Sequence, residues 1–501
     1  MFESLRALVV IFFISLPCIW FSKLSFGSLA AGADWNRRWI AWFALTGVAF
    51  LARDPWLYVA GTALVIGVGV QAGVSLFSLY MALLFALPEL RVEIPGVGSI
   101  NYFFELNHIR MLGALILIPA WLLLRRQPGT PRFGAFLPDR LLALYMLLIV
   151  LMQLRETTLT DVMRRGLAIF LEGWLPYYVA SRSCKDLKAF RDVLATFVTS
   201  SCLMASVAVF EVLKGWLLYA SLPRALGVPG FVGGYMARDD SMRAVASSGH
   251  AIVLGYIQMA ALGFYSYVRH LLVSKLARNA VFLVLGAGLF LPLSRGPWVG
   301  AVVVLLAWVC FQRNMTEVLA KVLIVLLVAS TVVFMTPAGE KFVRFLPWIG
   351  AHDSGSVDYR ENLWKNGMIV FERNPLLGSV NYLEAPEMIS MIQAEGIIDM
   401  VNSYLGIALE YGLIGLVLFA GVFVSAGYSA LLARRRLMIH GEEYGVLGAA
   451  LICVLLGCMV TIATVSNIVF IPVVCWLVAG FCVAYSNLKT SAPGVPARQS
   501  V

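Results

Sequence analysis

Apolar positions in this chain gather in long runs separated by short polar clusters, with no strict alternation that would mark half-buried strands. The clearest runs are Leu5–Phe21, Trp56–Val70, Leu141–Leu151, Ala280–Leu291, Ala301–Phe311, Val322–Phe334, Leu405–Val424 and Val446–Thr461. A helix needs ~20 residues to cross the hydrocarbon core, so the shorter runs must borrow flanking residues or snorkelling ends. The pattern predicts an all-α fold, a polytopic transmembrane helical bundle of about 12 to 15 spans. Leu5–Phe21 lacks the strongly basic start and small-residue cleavage pattern of a secretory signal, and reads as a retained first span.

One long polar segment interrupts the pattern, Thr336–Val401, with nine Asp and Glu against five Lys and Arg. Within it, Tyr359 to Arg373 places Leu363, Met368, Ile369 and Phe371 before an Asn374-Pro375 stop, which predicts an amphipathic helix. Pro386 to Gly396 reads as a second short helix, with proline near its start and glycine at its end. The expected organisation is therefore N-terminal spans over 1–140, a central membrane core over 141–335, a large structured loop over 336–401, C-terminal spans over 402–486 and a tail over 487–501.

Composition agrees with a lipid-facing protein: 60% of the 501 residues are hydrophobic and only 13% charged, against about 25% in an average soluble domain. The net charge of +10 is dispersed in short clusters between apolar runs, so it reads as a topology signal and not as a nucleic-acid surface. The eight cysteines lie mostly within apolar segments, which argues against disulfides and a zinc site. No two of the five histidines fall at i, i+4, so no metal site is expected.

Short loops rich in Lys and Arg stay on the cytoplasmic side. From Arg125 onwards the clusters obey this: Arg125, Arg126, Arg132 and Arg140; Arg182, Lys185, Lys188 and Arg191; Arg269, Lys275 and Arg278; Arg313 and Lys321; Arg434–Arg436 with Lys489 and Arg498. The loops near 155–165, 214–243 and 336–401 then face out. Arg155, Arg164 and Arg165 strain the rule, with only Glu156 and Asp161 to balance them. Arg37, Arg38 and Arg53 flank one short apolar segment and cannot all be inside, which leaves the side of the N-terminus open.

Two further arginines stand at outer helix mouths. Arg243 precedes Ala244–His250, where a span begins, and Arg295 lies in the tight turn Leu293-Ser-Arg-Gly-Pro297. In this topology the spans starting near 246, 297 and 403 run from outside to inside, so their positive dipole ends face out and favour anions. Ser247, Ser248, Ser294, Asn402 and Ser403 add polar groups at those ends. Arginine's planar fork suits phosphate oxygens, so Arg243 and Arg295, with Arg360 closing from the loop helix, describe a site for a phosphate or diphosphate. The alternative for each arginine is snorkelling to lipid headgroups. Glu172 and Glu211, inside apolar segments, are either functional or fix helix packing through neighbours.

The strings RAVASSGH (243–250), LSRGPWVGA (293–301), YRENLWKNGMIVFERNPLLGS (359–379) and EGIIDMVNSYLGIALEYGLIGL (395–416) resemble the O-antigen ligase and Wzy-type polysaccharide polymerase superfamily of bacterial inner membranes. The resemblance covers roughly 141–480. It implies transfer of a glycan from an undecaprenyl diphosphate donor to an acceptor hydroxyl without metal or other cofactor, with a flippase and a chain-length regulator as partners in the bilayer. It also implies that Arg243, Arg295 and Arg360 hold the donor diphosphate; the helix-end argument expects Asn402 and Ser294 beside them. Ligases that attach glycan to lipid A carry His-Asn followed after nine residues by Gly-x-x-Gly. This chain keeps Asn402, Gly412 and Gly415 but has Val401 in place of the histidine. That departure favours a polymerase, or a transferase with another base: Asp399 first, then Glu395 and His250. A transporter of the same lipid-linked sugars is the competing class, though the internal repeat expected of one is not evident.

Overall fold

The computed structural model describes residues 2–26, 32–71, 75–98, 101–229, 237–238, 241–272, 274–317, 319–320, 324, 354–393 and 396–488. The expected span Val322–Phe334 (except Ile324), Lys321, His352, Glu395, the start of the long polar segment and the tail beyond 488 lie outside the described residues.

The fold is an all-α bundle. Among the described residues seven helices are long and apolar enough to cross a membrane: Phe2–Phe26, His108–Arg126, Leu137–Glu156, Leu187–Lys214, Ala251–Leu271, Ser403–His440 and Glu442–Ile462. Pro55–Gln71, Arg295–Cys310 and Phe470–Ser486 are shorter apolar helices. Others of the bundle carry charges or interruptions, such as Gly32–Leu51, and Leu159–Ile169 joined to Leu175–Ser183 through the π-helical turn Phe170–Trp174. Strands among the described residues form two antiparallel pairs, Val92–Pro95 with Tyr102–Leu106 and Ala237–Arg238 with Ser241–Met242.

The central helix Leu187–Lys214 shows why such sequences settle in the interior. Asp186 caps its first turn by accepting from the Ala189 amide at 2.8 Å, and Gly215 at φ 62° ends it in the left-handed conformation. Its hydroxyls cause no buried deficit, because Thr199 and Ser201 donate to the carbonyls of Ala195 and Phe197, each at 2.9 Å.

Polar contacts define two ends of the bundle. At one end Arg191 donates to Glu443 (2.7 Å), which Tyr267 also reaches, Arg182 pairs with buried Asp139 (2.5 Å), Lys185 donates to Gln127, and Arg434 stacks on Phe311. These are the residues that charge patterning assigned to a single side. The N-terminus lies at the other end, where Ser4 donates to Ser221 and Arg6 stacks on Trp216. Arg38 is buried at the arginine-rich end against Asp34, Asp192 and Thr196. Arg53 follows a helix whose far end stacks Phe50 on Tyr219, so this arginine belongs to the opposite end. The arginines that strained the charge rule are balanced in space: Arg155 by Glu156, Arg164 by Asp161 and the carbonyls of Tyr102 and Phe103, and Arg165 by Glu410.

The loop helix runs from Ser354 to Arg373 and ends before Pro375 as expected, but its inward residues are Leu363, Gly367 and Val370, with Ile369 exposed. Leu363, Val370, Met388, Met391, Leu405 and Leu409 form a small core of their own, which seats the loop on the start of helix Ser403–Leu437. The expected helix Pro386 to Gly396 is a single turn, Pro386–Ile389. Gly396 at φ 76° instead sits in a turn whose amide returns to the Gln393 carbonyl.

Helix Ser403–Leu437 is broken at Gly412, whose φ of 65° and ψ of −168° are open essentially to glycine alone. The segment Pro375–Ser379 crosses the break. Leu413 and Ile414 donate their amides to the carbonyls of Pro375 and Leu376 (2.8 and 3.2 Å), and Ser379 donates to Leu409 (2.9 Å). Strap and helix thus satisfy the backbone groups that each would otherwise bury unpaired.

Candidate functional site

A cavity of about 540 Å³ opens at the end opposite the arginine-rich one. Arg91, Arg110 and Arg165 line it with His250, Ser248 and Asn467, over an apolar wall that includes Leu217, Pro223 and Val469. Each arginine comes from a different element: Arg91 precedes the hairpin, Arg110 opens helix His108–Arg126, and Arg165 lies on helix Leu159–Ile169.

Carboxylates fix these arginines. Glu172 accepts from Arg110 Nε at 2.7 Å, Glu105 lies 3.4 Å from Arg110 Nη1, Glu89 lies 3.5 Å from Arg91, and Glu410 lies 3.6 Å from Arg165. Tyr411 adds a hydroxyl 3.3 Å from Arg165, and Asn107 bridges Glu89 and Glu172. Charge-assisted bonds of this kind aim a guanidinium at low entropy cost. Glu172 therefore positions an arginine of the cavity wall as well as packing its helix.

Glu211 has a comparable role. Its carboxylate accepts three backbone amides, those of Leu218 (3.1 Å), Val245 (3.1 Å) and Ala246 (2.9 Å). This pins the loop that delivers His250 to the cavity, including the strained Ala246 at φ 45°. Ser247 and Ser248 complete the anchor by donating to backbone carbonyls of Phe85 and Val245. Burial first, then the nearby Arg243 and Arg91, lowers the His250 pKa from 6.5 to about 4, so its ring is neutral at pH 7.

Of the described residues proposed from sequence for binding or catalysis, His250 and Ser248 line the cavity. Arg360, Asp399, Ser403 and the Arg295 turn border it through the loop Thr464–Val469, whose residues 467–469 form part of the wall. Thr464 accepts from Arg360 at 3.4 Å, Val465 accepts from Ser403 at 2.9 Å, and Ser466 donates to Asp399. Gly296, next to Arg295, packs so tightly on Thr464 and Val465 that an added Cβ would lie 2.7–2.8 Å from them. Arg243 is buried and donates from Nε to the Pro292 carbonyl at 2.9 Å, which joins the 243–250 segment to the turn bearing Ser294 and Arg295.

Three helix starts meet this region, but they differ. Ser294 and His250 occupy N-cap positions without capping their own helices, whereas Asn402 accepts from the amides of Tyr404 (3.0 Å) and Leu405 (3.2 Å). Asn402 thus caps the helix that it precedes. Gly412 does more than pack a helix, since it breaks one.

Sequence reading missed Arg91, Arg110, Asn467 and the hub loop. Their signal was weak: Thr464, Ser466 and Asn467 form a polar interruption between two apolar runs, and Arg91 and Arg110 lie in the stretch where span parity was unsettled. Arg165 was visible, as a charge out of place.

A search among curated proteins gave no match. Residues 280–420, which include the Arg295 turn, the loop helix, Asp399, Asn402 and the Gly412 break, match the family model described as O-antigen ligase, a match consistent with the O-antigen ligase and Wzy superfamily.

Proposed function

We propose that this protein is a glycosyltransferase of the bacterial inner membrane that polymerises polyprenyl-diphosphate-linked oligosaccharide repeats at the periplasmic face. The O-antigen ligase match supports a membrane enzyme of O-antigen or polysaccharide assembly. The observation that carries the finer reading is the loop Thr464–Val469, which ties Arg360, Asp399, Ser403 and the Arg295 turn to a cavity lined by three arginines and His250.

In this reading the acceptor hydroxyl attacks the anomeric carbon of the donor sugar, the carbon–oxygen bond to the diphosphate breaks, and the polyprenyl diphosphate leaves. Arginines and uncapped helix starts neutralise the charge that develops on the leaving group, the kind of preorganised stabilisation that dominates many enzymes. His250 is kept neutral and faces the cavity, so it is placed to take the hydroxyl proton, a step worth roughly 10²–10⁴ in rate. Asp399 is bound to Ser466 and so acts first on the geometry of the hub loop; it is the second base candidate, while Glu395 stays a proposal from sequence alone.

A ligase reading is favoured by one observation, the retained spacing from Asn402 to Gly412 and Gly415 within the matched domain. Val401 in place of the ligase histidine tells against it. The test of the diphosphate site is Arg295→Ala in cells lacking the natural chain: polymer is expected to disappear while the protein still inserts. Polymer of normal amount and length would sink the site.

A further inference from the structure

A second groove lies on the loop layer, apart from the cavity. It encloses about 250 Å³ above an apolar floor of Val370, Ala385 and Leu409. Its rim carries Asn374, Asn381, Tyr382 and Glu384. Among the described residues, the side chains of these four form no hydrogen bond or ion pair within the protein, whereas neighbouring Arg373 is paired with Glu387 and Ser379 donates to Glu156.

We infer that this groove is a subsite for an uncharged stretch of the glycan chain, so that the loop layer holds the saccharide while the cavity handles the diphosphate. The inference rests on the proposed function. A sugar ring presents an apolar face and a rim of hydroxyls that each donate and accept. The groove offers the complement: an apolar floor, two side-chain amides that donate and accept, a phenol that does both and a carboxylate that accepts. Among the described lining residues Arg373 is the one cation, and Glu387 already neutralises it, so the described lining does not select an anion.

The frame is rigid and leads towards the cavity. The groove wall includes Gly378 and Leu409, which flank the crossing at Gly412, and Arg155 and Glu156 bind the strap at Gly378, Ser379 and Val380. Glu410 follows Leu409 in the chain and pairs with Arg165 of the cavity wall, and Tyr382 of the groove feels the charges of both. Tyr382 of the groove therefore lies within electrostatic reach of the Glu410–Arg165 pair at the cavity wall.

The test uses the full-length protein in detergent and the triple variant Asn381→Ala, Tyr382→Phe, Glu384→Ala. The probe is a neutral oligosaccharide released by hydrolysis from the host's own surface polysaccharide, free of lipid and phosphate. Saturation-transfer NMR is expected to show contact with the wild type and at least a fivefold weaker signal with the variant, while both unfold at the same temperature. Equal signals, or no signal with the wild type, overturn the subsite. In cells the variant is expected to make shorter chains, and chains of wild-type length also overturn it. If the wild type makes no polymer but binds the oligosaccharide at the groove, the polymerase reading has failed and the subsite stands.

Discussion

Gly412→Ala separates two pictures of helix Ser403–Leu437 by the sign of its effect. In an unbroken helix the change would stabilise by up to about 1 kcal/mol, because alanine is the better helix former. In the observed geometry, φ 65° with ψ −168° costs a residue bearing a Cβ of order 1–3 kcal/mol. The new methyl would also lie 2.2 Å from both the carbonyl carbon and oxygen of Leu376, and backbone cannot swing aside as a side-chain tip can. Moving the strap breaks the bonds from Leu413, Ile414 and Ser379, each worth about 0.5–1.5 kcal/mol net. Together the loss is on the order of 5 kcal/mol, a large part of a typical folding free energy. Thermal unfolding in detergent, followed by tryptophan fluorescence and by protease cleavage of the loop, reads it directly. Gly406→Ala is the control, since its added methyl meets only the Met400 terminal carbon at 3.9 Å. An unfolding temperature for Gly412→Ala at or above wild type would refute the broken helix.

Two other consequences concern opposite ends of the bundle. Arg182 and Asp139 are fully buried, so Arg182→Ala strands a buried carboxylate and should cost about 3–5 kcal/mol, while the double change to Met and Leu costs much less; equal unfolding temperatures for the two variants would contradict this. At the cavity, a His250 pKa of about 4 means that transfer rates fall only at strongly acidic pH, with no acid limb near 6.5. Protonation costs the fold as well: below about 6.5 the unfolded chain binds a proton that folded His250 refuses, so stability falls as pH drops from 6.5 towards 4. A limb near 6.5 that disappears in His250→Gln would show that the ring titrates as if exposed.

Hydropathy and charge patterning made the bundle and its two ends legible, because lipid burial and the positive-inside rule act on composition within each run. The meeting of Arg243 with the Arg295 turn followed from both lying at helix starts that face one way. The cavity arginines were hidden for a physical reason. Arg110 is balanced by Glu172, 62 positions on, and Arg165 by Glu410, so nothing local in the sequence marks either as aimed. The Gly412 break was hidden because glycine in an apolar run looks the same whether it packs a helix or ends one. Only the crossing of Pro375–Ser379 tells the two apart.

The most direct test is to incubate the purified protein with one defined polyprenyl-diphosphate-linked oligosaccharide and separate the products by size. The account predicts a ladder of extended chains with release of polyprenyl diphosphate, lost in Arg295→Ala. Transfer only to added lipid A would make the protein a ligase, and no covalent product from folded protein would contradict the assignment as a transferase.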